Sequence, residues 1–291
     1  MHAVYGYPVK STWIKATKAG NYIGWPVLNE RNVTKYYPET TKTPKGYLNQ
    51  SMKNFRSTKP NCTLLEVPNT ETIRGLKVNN VYTSVYEVRN TVLSDYTGQF
   101  PTRSQQGNKY ITIMVEIYSN AIIVDPIRSH KDAELTRAYQ TMILRLIRAE
   151  ITPKKHILNN AVSEALKKII QDEYKMKIEL VPPGTHRRNA SEVSIRNFKA
   201  HFLSVLAGTA QEFLPSLWNR LLLQAEITIN LLRQSNETPN VSAYNHLSGP
   251  FDLKKMPLAP VGMSVQVHKK NRQTRYMGIP YSIWMVFSDI T

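Results

Sequence analysis

The chain has 291 residues, enough for one large core or two modest ones, and its 38 Lys and Arg against 21 Asp and Glu leave a formal charge of +17. An excess of that sign and size favours a polyanionic partner, nucleic acid before an anionic membrane. No stretch approaches the length of apolar sequence a membrane helix needs, and residues 1–20 lack the apolar region of a signal peptide. The lone Cys62 excludes an intrachain disulfide and a zinc knuckle built from cysteines. An intracellular protein with no membrane partner is expected, nuclear if the source is eukaryotic.

The first 60 residues read as a small, partly helical segment. Ser11 caps a short helix over Thr12–Ala19, Gly20 and Gly24-Trp25-Pro26 interrupt the pattern, and Leu28–Tyr37 forms a second helix before Pro38. Residues 39–61, rich in Thr, Lys, Asn and Ser, read as a basic linker, and 61–87 as a further connection with short extended pieces.

From residue 88 the periodicities sharpen. Thr91–Tyr96 reads as a strand. Tyr110–Tyr118 alternates Ile111, Ile113, Val115 and Ile117, the period of a strand, and a tight turn at Ser119-Asn120 leads to a buried strand over Ala121–Val124. Ser129 is placed to cap a long helix whose Leu135, Ala138, Tyr139, Met142, Ile143, Leu146 and Ile147 make one apolar stripe. A strand at His156–Leu158, a helix through Val162, Leu166 and Ile170, a strand at Lys177–Val181 and helices near 189–207 and 215–234 complete the order. Three strands joined by short turns and followed by alternating helices and strands predict a mixed α/β sheet with helices on both faces over 88–248. Residues 249–291 form a tail with an alternating strand through Val261, Met263, Val265 and Val267.

Acidic residues at strand ends, with another on a nearby helix, are what two-metal phosphoryl transfer requires, because magnesium takes a few carboxylate oxygens and keeps waters. Spacing alone is a weak signal, since every α/β domain has acids at strand ends. The surrounding words are more specific. Asp95-Tyr96-Thr97-Gly98-Gln99-Phe100-Pro101, Lys155-His156-Ile157-Leu158-Asn159-Asn160 and the run from Pro182 to Glu192, in that order, strongly resemble the integrase core of copia-type retrotransposon polyproteins. Asn230-Leu231-Leu232-Arg233-Gln234-Ser235 and Ser242-Ala243-Tyr244 extend the resemblance. Residues 7–58, with Tyr7-Pro8, Gly24-Trp25-Pro26 and Lys45-Gly46, are similar to the segment upstream of the integrase in such polyproteins.

The resemblance implies a ribonuclease-H-like, five-stranded mixed sheet. It also implies a D,D,E triad holding magnesium or manganese, and strand transfer of element DNA ends into target DNA. Double-stranded DNA is then the partner, and a homo-oligomer is allowed. The first Asp falls on Asp95 and the Glu on Glu192, but the second Asp position carries Asn159. An amide keeps one oxygen and loses a full negative charge, so impaired catalysis in a degenerate copy is expected. Of the nearby acids, Glu164 is expected to face away, while Glu116, on a strand neighbouring Asp95, is the conceivable substitute.

Arg196 and Lys199 lie four and seven residues beyond Glu192 and share its helix face, beside an apolar stripe of Ile195, Phe198, Phe202 and Leu206. With His186, Arg187 and Arg188 just upstream they form the expected DNA contact. No zinc is expected: only His2 and Cys62 are available in the first 129 residues, and Tyr47 stands where related upstream segments often carry His. The end of the chain is expected to be out of frame. Read one base forward, Met277-Gly278 must give Trp, Trp284-Met285 Gly and Met285-Val286 Trp, the order found in a Trp-Ala-Tyr-His-Ser-Val-Asp-Gly-Trp-Tyr segment of the resembled family.

Overall fold

A computed structural model describes residues 1–22, 24–48, 89–158, 163–180, 190–260, 262, 264–266 and 282–284; for 190–192, 264–266 and 282–284 it describes the backbone alone. Met1–Leu48 and Val88–Thr291 form one compact unit, to which every described residue belongs.

The strands fall where the sequence pattern put them. Antiparallel β1 (Thr91–Tyr96), β2 (Tyr110–Glu116) and β3 (Ala121–Ile127) are followed by β4 (Lys155–Leu158) and β5 (Lys177–Leu180), which run parallel to β1. The sheet order is β3-β2-β1-β4-β5, so β1 lies at the centre and joins its antiparallel and parallel halves. Alternate residues of β2 and β3 feed opposite layers. Ile111, Ile113, Val115, Ile122 and Val124 pack under α6 (Ala190–Gly208) and α7 (Leu222–Leu232). Met114, Ile123 and Ile127 pack under α4 (Asp132–Arg148) and α5 (Glu164–Lys168), which runs on into a π-turn at Ile169–Glu173. The apolar stripe predicted for α4 is buried from Leu135 to Leu146, but its last member, Ile147, is exposed and Ser129 does not cap the helix. The N-cap is Lys131, and Asp132 and Glu134 supply the favourable negative charge in the first turn.

The free edge of β3 is closed by side chains rather than by another strand. Asn230 Oδ1 accepts from Ile122 N at 2.8 Å, Asn230 Nδ2 donates to Ile122 O at 2.7 Å, and Glu226 Oε2 accepts from Val124 N at 2.9 Å. Two residues one helical turn apart on α7 thus satisfy the backbone groups that an exposed edge would offer to another chain. Glu226 is also ion-paired with Arg145 of α4, tying the two helix layers together around that edge.

The N-terminal segment differs from expectation in one cap and one element: Ser11 lies inside the first helix, whose N-cap is Val9. α1 (Lys10–Lys18) and α2 (Glu30–Lys35) match the two predicted helices, but part of the predicted linker is a third helix, α3 (Lys42–Tyr47), packed on α6. Pro44 and Gly46 make its sequence a poor helix, so tertiary contact holds it. Gly46 is needed for that contact: a Cβ there would overlap Ser204 Oγ and Ala200 O and lie 2.7 Å from Ser204 N. Tyr5, Trp13, Tyr22 and Val33 bury themselves with Leu231, Leu232, Tyr244 of α8 (Ala243–Ser248), Phe251 and Leu258. The segment set apart in sequence is therefore continuous in packing with the core. In the tail, β6 (Ser264–Gln266) pairs antiparallel with β7 (Ser282–Trp284); the other residues involved in the expected change of frame lie outside the described residues. Among the described residues, no helix is long and apolar enough to cross a membrane.

Candidate functional site

β1 and β4 define the site. Their parallel register pairs Ser94 with Leu158, so the residues that follow in sequence are Asp95 on β1 and Asn159 beyond β4. Asp95 is half-buried, its Oδ1 accepts from Tyr96 N at 2.8 Å, and it has no ion pair among the described residues. Its carboxylate therefore retains oxygen lone pairs for another ligand. Burial, with Asp95 alongside, pushes the Tyr96 phenol up to about 12, so this neighbour stays neutral at ordinary pH.

The strand junction beneath Asp95 is locked by a buried histidine. His156 Nε2 lies 2.9 Å from Ser94 Oγ, and its Nδ1 lies 3.2 Å from the Tyr139 hydroxyl on α4. Burial lowers the imidazole to about 3, so it works as a neutral hydrogen-bonding group. Sequence reading placed His156 in a strand and gave it no role; the signal was a lone polar side chain within an apolar strand.

The segment after β1 is equally fixed. Thr97 Oγ1 accepts from Ile111 N at 2.9 Å, and Phe100 stacks on Trp218 at 4.3 Å between centroids, while Trp218 Nε1 donates to Thr102 O. Thr97 and Phe100 of the first motif are thus structural. This segment and α6 enclose a recess of about 220 Å³ lined by Gly98, Gln99, Phe198, Lys199 and Leu203.

α6 begins at Ala190 and packs on β1 and β2, so Glu192 belongs to its first turn; the Glu192 side chain lies outside the described residues. Two residues on, Ser194 Oγ accepts from Arg233 Nη2 at 3.0 Å, while Arg233 Nε donates to Asn120 O at 2.8 Å. Burial pulls the Arg233 guanidinium down to about 10, which leaves it a cation at neutral pH. Arg233, noticed in sequence only as part of a motif, joins the β2–β3 turn to the start of α6. The apolar stripe expected on this helix is buried: Ile195, Phe198 and Phe202 are covered and Leu206 packs beside them, while Arg196 is exposed and Lys199 is half-buried. Neither cation is ion-paired among the described residues. His186, Arg187, Arg188 and Asn159 lie outside the described residues.

Glu116 is corrected as a substitute ligand. It pairs in register with Val92, three residues from Asp95, or about 10 Å along the strand. Its carboxylate is also in use: it accepts from Tyr118 N, Ser119 N and Ser119 Oγ, and so closes the β2–β3 turn. Glu164 faces solvent and pairs with Lys167, as expected of it.

A central β1 hydrogen-bonded to an antiparallel pair on one side and a parallel pair on the other, with helices over both faces, is the ribonuclease-H-like arrangement. No protein-family model matches the chain, and no curated protein does. Among solved structures, the catalytic core domain of BIV integrase is similar over 54% of this chain and 93% of that chain, at 14% sequence identity and a TM-score of 0.40.

Proposed function

We propose that this chain is a retrotransposon integrase-like protein of the copia type, built for metal-dependent DNA strand transfer and impaired by Asn159. The observation that carries the reading is the β1–β4 register, which aligns the residue before Asp95 with the residue before Asn159, with the Glu192-bearing helix packed on β1. Asp95, Asn159 and Glu192 are the donor set that the motif order assigns. Paired magnesium or manganese ions, about 4 Å apart in such sites, activate the attacking oxygen and stabilise the leaving one. This donor set fits such a pair incompletely, because it is one carboxylate short. Side chains that act as a unit fail together, so strand transfer is expected to fall by ~10³-fold or more. Double-stranded DNA is the partner, held by Arg196 and Lys199 on α6 and by His186, Arg187 and Arg188 upstream, in an intracellular and, for a eukaryote, nuclear setting.

The test is a magnesium-dependent joining assay with the natural chain and Asn159→Asp. The expected outcome is little or no joining by the first and partial recovery by the second. Robust joining by the natural chain overturns the impairment. DNA binding without joining by either variant replaces the reading with a non-enzymatic DNA-binding remnant, which the same Asn159 also favours.

A further inference from the structure

We infer that α3 and α6 form one continuous phosphate-binding surface, so that Lys42 and Lys45 of the N-terminal segment contact the same DNA as Arg196 and Lys199. The inference rests on the proposed DNA-binding reading and assigns a part in it to the first 48 residues. In sequence these two pairs of cations are some 150 residues apart. In the fold, Gly46 approaches the Ala200 and Ser204 backbone so closely that no side chain fits between. Lys45 and Lys199 are the immediate chain neighbours of Gly46 and Ala200, so their Cα atoms lie within roughly 14 Å of each other. That is under two Debye lengths at physiological salt, and both ammonium groups end flexible stems, so one polyanion laid across the two helices meets both. Lys45 is exposed and Lys42 half-buried, and neither has an ion pair among the described residues. Arg196 continues the track one turn toward the start of α6.

The partner chemistry follows from the charge. Residues 1–48 carry seven Lys and Arg against two acids, Glu30 and Glu39, and Glu30 is already paired with Lys18. Such a row, continuous with Arg196 and Lys199, suits the closely spaced phosphates of duplex DNA. The contact supplies affinity without sequence preference, because it reads phosphate and not base edges.

The experiment measures the affinity of the full chain for a short duplex across a salt series. It compares the natural chain, Lys42→Gln/Lys45→Gln, and a control of equal charge loss, Lys175→Gln/Lys177→Gln, at exposed positions around the start of β5. Each lost phosphate contact lowers the slope of log affinity against log salt by about 0.9, so the first pair is expected to lower it by about 1.8 and the control by far less. Equal slopes for the two double variants overturn the inference while leaving the DNA-binding reading intact. Failure of the natural chain to bind at low salt overturns that reading as well. Gly46→Leu gives a second arm: with net charge unchanged, forcing α3 off α6 is expected to weaken binding. If it folds, as judged by circular dichroism, and binds as the natural chain does, a shared surface is excluded.

Discussion

The layer between the sheet and α4 and the junction between the N-terminal helices and α7 are both well buried, but they are made of different materials. The first is filled mainly by aliphatic side chains and methionines at regular strand and helix positions, and its buried ring, Tyr139, stacks on His156, which has partners at both nitrogens. The second is filled by rings: Tyr5 lies 4.5 Å from Tyr22 and 5.1 Å from Trp25 between centroids. Around those rings the Tyr5 and Tyr22 hydroxyls, Trp13 Nε1, Asn21 Oδ1 and Gln224 Oε1 are buried without a protein partner. A buried orphan of this kind costs about 1–3 kcal/mol, which offsets much of what ring burial contributes. The sheet layer should therefore unfold with the whole unit, and the junction should open first.

The sharpest way to break this comparison is to cut one large side chain from each side. Leu146→Ala in α4 is expected to lower global stability by about 2–5 kcal/mol, with all spectroscopic probes shifting together. Trp13→Ala should instead expose α1–α3 to hydrogen exchange while β1 and β2 remain protected. Loss of protection in β1 together with α1 would show that the junction is as cooperative as the core.

Acid should act next most strongly. Burial holds His156 at about 3 and His201 at about 4, below the ordinary value of 6.5. The unfolded chain therefore binds more protons than the folded one as pH falls below about 6.5. Stability from these two groups is fully present above 6.5 and is lost as pH falls toward 4 and 3, by on the order of 1 kcal/mol per pH unit for each. Denaturant midpoints between pH 7 and 4.5 check this; a flat profile contradicts both burials.

The smallest effects separate the two regions by a single atom. Tyr139→Phe removes a hydroxyl bonded to His156 and is expected to cost about 1 kcal/mol. Tyr5→Phe removes an orphan and is expected to be neutral or stabilising. Equal losses in urea titrations would mean that the Tyr5 hydroxyl is satisfied by water.

Legibility in the sequence followed the reach of the interactions. The α4 stripe and the apolar face of α6 were readable because burial on one side imposes a local period of 3.6 residues, and β2 because Ile111, Ile113 and Val115 recur at every second position. Asp95 was readable as part of the first motif, and Arg196 and Lys199 by their helical spacing after Glu192. The sequence alone also set the charge and put an amide rather than a carboxylate at position 159, since both are matters of residue identity. Tertiary structure decided the rest. α3 forms against its own propensity because α6 receives Gly46, Glu116 is withdrawn from the site because a turn takes its oxygens, and Glu226 and Asn230 close β3 from a helix about a hundred residues away. None of these has a local period, because each depends on a partner brought close only by the folded chain.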